Sequence, residues 1–340
     1  MIDVEFERLR NDYLHAEDTQ HKVNSCLNLC VYLSGKLQYE EVIHYGSEIS
    51  EILKDTKNDD ILCKIYSLMA NSYSTQGDLS MATEYLQRAL LIAEEMQNGY
   101  YLAHIYYNFS LLEDEKYNLK QALDYLFKSV HLCELNGFTD ILIENFIRIG
   151  NTYLYFENYS LALEYLRKAL KQTKNETQKA SIYYCIGKIH YDLNDLSEAH
   201  ECFKRAFKMF KKNNNKYQQI PLYIHYGYIS LRKGNFDLAM ENAETALALA
   251  KEHGSQIPYF ESLLLFAVIY TDKNDFINAK HYYNILKEIE STIHNIHILK
   301  NFYQTYLGFN KMIENDIECE IYENKLQGIL SIIEEKKGVE

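Results

Sequence analysis

Few side chains in this 340-residue sequence have a type and spacing suited to chemistry, and those few favour holding a ligand over transforming one. Asn71, Asn108 and Asn151 carry carboxamides, which can donate to and accept from a peptide backbone in one plane. Arg148, Lys64 and Lys188 add cations, and Tyr107, Tyr184 and Tyr228 add aromatic faces with a hydroxyl. Together they suit an extended peptide bearing an acidic or carboxylate group. The same residue types also make an ordinary solvated helix face, and at this level both readings stand.

No catalytic constellation accompanies them. The chain has no glycine-rich phosphate loop, no HExxH and no GxSxG. His294 and His297 could share a helix face, but such pairs arise often by chance among 12 histidines, so no metal site is expected. Cys26 and Cys30, four apart, read as apolar packing. Neither cofactor nor enzymatic activity is expected.

Charge narrows the partners. The net charge is −13, spread through the chain, so a phosphate backbone would be repelled and nucleic acid is not an expected ligand. Seven cysteines without CxxC spacing read as free core thiols in a reducing compartment. The N-terminus alternates charged and apolar residues unlike a signal peptide, and no stretch approaches 18 apolar residues. A cytoplasmic protein without a membrane span is expected.

The elements that must position these side chains are written as a repeat. Asp78, Asn118, Asn158, Asp195, Asn235 and Asp275 each precede an apolar residue and stand four before Ala82, Ala122, Ala162, Ala199, Ala239 and Ala279, at alanine steps of 40, 40, 37, 40 and 40. A worn copy, Gln38 to Val42, lies 40 residues before Ala82. Such a period marks stacked helix hairpins that bury their apolar faces only against neighbours. Each Asx is placed to cap a second helix, and glycine is placed to close helices at Gly99, Gly137 and Gly254. Small residues at Ala70, Ser110, Gly150, Gly187, Gly227 and Ala267, each twelve before the alanine, predict close approach of the two helices. Tyr45, Tyr85, Tyr125, Tyr165 and Tyr282 recur in one register and are expected to seal the seam between repeats. Val4, Leu9, Tyr13 and Phe6 are expected to turn a leading helix onto the first repeat.

These residues resemble the tetratricopeptide repeat family, over roughly Val23 to Ile289, with a period of 40 where the family norm is about 34 and without its inter-repeat proline. The resemblance implies an all-α, right-handed α-solenoid of about seven hairpins, of the long-period bacterial type found in peptide-pheromone receptors and sensor regions. Residues 1–22 then form an N-terminal capping helix, 23–293 the repeats, and 294–340 a C-terminal helix pair. In repeats of this family that grip a C-terminal carboxylate, five positions form a clamp. Asn71, Asn108 and Arg148 match three, whereas Ser67 and Glu144 stand where lysines belong. The match therefore implies backbone binding more than terminal-carboxylate binding.

The groove expected on the first helices also includes Tyr191, Ile224, His225 and Val268. The resulting expectation is a non-enzymatic scaffold binding a peptide or protein segment there. A sensor relaying ligand binding to an output domain is the alternative, with a homodimer through the aliphatic-rich stretch Leu326 to Ile333.

Overall fold

A computed structural model describes residues 4–53, 58–213, 215–293 and 295–337. Among them every regular element is helical. The helices are α1 (Val4–Leu14), then α2 (Thr19–Gly35) with α3 (Tyr39–Leu53), α4 (Asp59–Thr75) with α5 (Leu79–Glu95), and α6 (Gly99–Glu115) with α7 (Leu119–Asn136). They continue as α8 (Thr139–Tyr155), α9 (Tyr159–Gln172), α10 (Glu176–Asp192) with α11 (Leu196–Lys212), and α12 (Ile220–Arg232) with α13 (Phe236–Glu252). The last pairs are α14 (Gln256–Asp272) with α15 (Phe276–Ile289) and α16 (Ile296–Met312) with α17 (Asp316–Lys337). The chain divides into two compact units, Met1–Thr152 and Tyr153–Glu340, each with its own core.

Why the chain folds back so regularly is visible at the turns. After the first helix of each hairpin from α2 to α14 one residue takes a left-handed conformation: Leu37, Gly77, Tyr117, Glu157, Asn194, Gly234 and Asn274, with φ between 57° and 87°. The next N–H then reaches the carbonyl five residues back, as in Asp78 to Tyr73 at 2.9 Å, Asp195 to His190 at 2.8 Å and Asp275 to Tyr270 at 2.9 Å. This closure satisfies a carbonyl that the helix end would leave orphaned. The Asx side chain starts the next helix by accepting an N–H, as Asp78 does from Met81, Asn158 from Leu161 and Asn235 from Leu238. Asn118 departs from this pattern: its amide donates to Glu113 Oε2 at 2.8 Å, because a buried carboxylate competes for it. Gly137 and Gly254 are left-handed as expected. Gly99 is not, since Gln97 takes that conformation and Asn98 caps α6, whose first residue is Gly99.

The six signature alanines are at most 1% exposed. Gly187 shows why a small residue faces the hairpin: a Cβ there would lie 2.6 Å from the Phe203 ring on the paired α11. Gly227 differs, because its close neighbour is Leu265 on α14, the next first helix. The recurring tyrosines lie mainly inside hairpins, not between them. Tyr85 stacks on Tyr73, Tyr125 on Phe109, Tyr165 on Tyr153 and Tyr282 on Phe266. Tyr45 reaches beyond its hairpin, to Tyr13 of α1. Leu9 and Tyr13 dock α1 and Phe6 packs against the same core, whereas Val4 is 79% exposed.

At the C-terminal end, α17 buries Tyr322, Ile329 and Ile333 with Phe302, Tyr303 and Tyr306 of α16. Much of the Leu326–Ile333 aliphatic excess thus enters a core, while Ile332 stays exposed with Ile317 and Ile321. Glu290 pins this end, accepting from Tyr322 at 3.0 Å and Lys325 at 2.8 Å. No described helix is long and apolar enough to cross a membrane.

Candidate functional site

In the first unit, α4, α6 and α8 present the expected polar residues. Asn71 and Asn108 come together, lining one cavity of about 20 Å³ with Ala70, Ser74 and Leu111. Lys64 is exposed, its ammonium 5.9 Å from the Tyr101 ring centre. Arg148 is not brought to Asn71 as a ready cation. Its Nη1 pairs with Asp114 Oδ2 at 3.0 Å, and it lies against Tyr107. Burial raises the Asp114 carboxyl above its ordinary value, with Arg148 opposing that rise. The Asn151 side-chain oxygen is buried and lacks a hydrogen-bond partner among the described residues. Asn145, absent from the sequence reading, is fully buried and donates to Ser129 Oγ at 2.8 Å, so its role is structural.

The second unit holds a more developed site. Its first helices α10, α12, α14 and α16 line an interior, and the end of α8 with the turn after it meets α16. There His297 stacks on Tyr155 with ring centres 4.5 Å apart, and Lys300 pairs with Glu157 at 3.4 Å. Tyr184 and Lys188 from α10, His225 and Tyr228 from α12 and Glu261 from α14 face this interior and sense one another electrostatically. All five are half-buried, and the Nδ1 atom of His225 is itself buried.

Burial pushes the Glu261 carboxyl up to about 6 against the pull of Lys188. Burial, then Lys188, pushes His225 down to about 3, so it is a neutral imidazole at pH 7. The His225 ring lies on Phe203 with centres 4.9 Å apart, and its Nε2 shares a 3.2 Å hydrogen bond with the Tyr184 hydroxyl. Burial opposes the Lys188 ammonium, but Tyr184, Cys185 and Glu261 outweigh it and raise its pKa. Burial raises both tyrosines above the ordinary phenol range. Arg232 is engaged elsewhere, 4.4 Å from the Tyr191 ring centre and 2.9 Å from Asn194 Oδ1.

Tyr184, Lys188 and Tyr228 therefore come together. Ile224 does not: it is 4% exposed and packs with Ala246 and Ala250. Glu261 went unnoticed, although it stands six residues before Ala267, as Lys64 and Glu144 stand before Ala70 and Gly150. The register could have found it. His297 and Lys300 could not have been found so, because α16 lacks the alanine signature. Of the histidine pair His294 and His297, His294 lies outside the described residues. No group of three or more possible metal ligands occurs among the described residues.

Against known proteins, the tetratricopeptide repeat family matches residues 62–96, 140–212 and 220–253. A curated relative, the mitochondrial import receptor subunit TOM70 of Saccharomyces cerevisiae, is 29% identical over 196 residues, 55% of this chain and 30% of that protein. The chain thus matches under a third of that relative's length. Human tetratricopeptide repeat protein 8 is 30% identical over 83 residues, 24% of this chain and 14% of that one. The apo quorum sensor NprR from B. thuringiensis superposes with a TM-score of 0.70 at 16% identity, covering 96% of this chain and 92% of that one. Aspartyl phosphate phosphatase F from Bacillus subtilis gives 0.68 at 16%, covering 98% and 90%. A Rap protein complexed with competence and sporulation factor gives 0.65 at 16%, covering 94% and 100%. At such identities these structures share the fold alone. The sequence matches, the hairpin architecture and the capped Asx turns agree, and the chain is a tetratricopeptide-repeat protein.

Proposed function

We propose that this protein binds a peptide, or an extended segment of a partner protein, on the face formed by its first helices, without catalysing a reaction. The observation that carries the reading is the interior of the second unit. There tyrosines, a cation, an acid and a neutral histidine face water-accessible space among the first helices. Such groups are costly to keep inside a fold unless they serve a ligand. The Asn71 and Asn108 pair in the first unit offers backbone-type hydrogen bonding in the same way. Structural neighbours support the reading, since one was crystallised with competence and sporulation factor and NprR with its cognate peptide NprX.

Affinity selection from a random hexapeptide pool, read by mass spectrometry, tests it. The folded chain should retain a defined subset, and Tyr184→Ala with Tyr228→Ala should reduce retention at least tenfold. Retention of nothing above a blank resin overturns the reading.

A sensor role, relaying occupancy to an output, is supported by one further feature. Exposed Ile317, Ile321 and Ile332 fall on one line of α17, which would suit a second copy of the chain. Light scattering of Ile317→Asp with Ile321→Asp should then show loss of a dimer; identical monomers for both proteins remove this basis. Six buried cysteines that form no disulfide fit a reducing, cytoplasmic setting.

A further inference from the structure

The interior of the second unit holds two opposite charges that do not neutralise each other. Lys188 on α10 and Glu261 on α14 interact through space, yet no ion pair or hydrogen bond joins either to another described residue. The arrangement is not forced by a shortage of partners. Asp192 is one turn from Lys188 on the same helix and lies within its field, but forms no ion pair with it. Other charges around this space are already committed. Lys300 is held by Glu157, and Arg232 by Asn194 and the Tyr191 ring. Removing two charges from bulk water without pairing them costs free energy that a direct contact would partly return.

We propose, resting on the peptide-binding reading above, that this interior selects a peptide carrying charges of both signs, its carboxylate on Lys188 and its cationic group on Glu261. The walls between the two charges fit that task. Tyr184 flanks Lys188, its ring centre 5.9 Å from the ammonium, and its hydroxyl is fixed by His225 Nε2. A carboxylate on Lys188 meets a neutral imidazole there, so His225 adds no second cation that would favour a dianion. Tyr228 lies between α10 and α14 beside Asn301, giving a flat face and hydrogen-bonding groups for the chain that links the peptide's two charges. A peptide of one sign would satisfy one site and leave the other buried charge facing a like group or nothing. That penalty is the source of selectivity.

The carboxylate and the cation can come from side chains or from the peptide's free ends. Two random hexapeptide pools separate these sources, one with free termini and one acetylated and amidated, each passed over the immobilised full chain and read by mass spectrometry. With side chains as the source, peptides retained from the capped pool are enriched at least fivefold in sequences holding both an acid and a base. With termini as the source, the free pool is retained at least tenfold better than the capped pool. Lys188→Met should abolish the preference for the carboxylate and keep that for the base. Glu261→Gln should do the reverse, and Lys188→Arg should restore the wild-type pattern. Thermal melts confirm that each variant is folded. Retained peptides of unchanged composition in Lys188→Met and Glu261→Gln overturn this inference while leaving peptide binding intact. No retention by the wild-type chain overturns both.

Discussion

Glu261 shows at the scale of one residue how a fold can hold a group against its own stability. Its carboxyl titrates near 6 because burial disfavours the charge more than Lys188 restores it. An acid whose folded pKa is raised contributes stability below its unfolded value, and that contribution is lost as pH rises through about 6. Glu261→Gln should therefore leave the melting temperature nearly unchanged at pH 4. At pH 8 it should raise stability by about 1–2 kcal/mol, a few degrees, discounted for the water that still reaches the group. Equal shifts at both pH values would show that the carboxylate is not strained. His225 runs the other way. Its folded pKa is depressed to about 3, so the stability of its neutral form is present above about 6.5 and falls as the solution is acidified. His225→Gln should flatten the acid limb of a melting-temperature profile between pH 6 and pH 4. Arg148 belongs at this scale too: Arg148→Ala leaves the partly buried Asp114 unpaired and should cost about 1–3 kcal/mol in chemical denaturation.

At the scale of the element, the recurrent turn carries the architecture. One left-handed residue followed by a capping Asx reverses the chain after each first helix, and only Gly77 and Gly234 among the seven pay no steric cost. Gly77→Ala and Gly234→Ala should each destabilise by about 1 kcal/mol, whereas Glu157→Gly at φ 60° should be neutral or stabilising. The Asx positions were legible because only a short acceptor side chain caps a helix there. The left-handed residue was not legible, since Leu37, Tyr117 and Glu157 have no local preference for that conformation and adopt it because the helices on either side pack. The same competition misdirected the tyrosines. Their register is set by sequence, but whether a ring covers its own hairpin or the next depends on how two helices cross. Gly227 makes the point again, since its missing side chain admits Leu265 from the next first helix.

For the molecule as a whole, each unit completes its core from several hairpins, and the terminal elements are part of that core. Truncating the chain before α17 would expose Phe302, Tyr303 and Tyr306, so it should lower the melting temperature and increase dye binding to apolar surface. The substitutions at Ile317 and Ile321 lie on the outer line of that helix and should leave the stability of the monomer itself nearly unchanged, a shift of within about 2 °C, in keeping with surface positions. By itself the sequence determined the all-helical class, the hairpin repeat and the Asx caps. Each of these follows from spacing along one or two helices. Tertiary structure alone decided that Asp114 holds Arg148, that α16 returns to Tyr155 and Glu157, and that Lys188 and Glu261 share an interior without pairing. Those outcomes depend on the cumulative rotation from one hairpin to the next. That rotation is fixed by side-chain packing across many contacts and is not written in any local stretch.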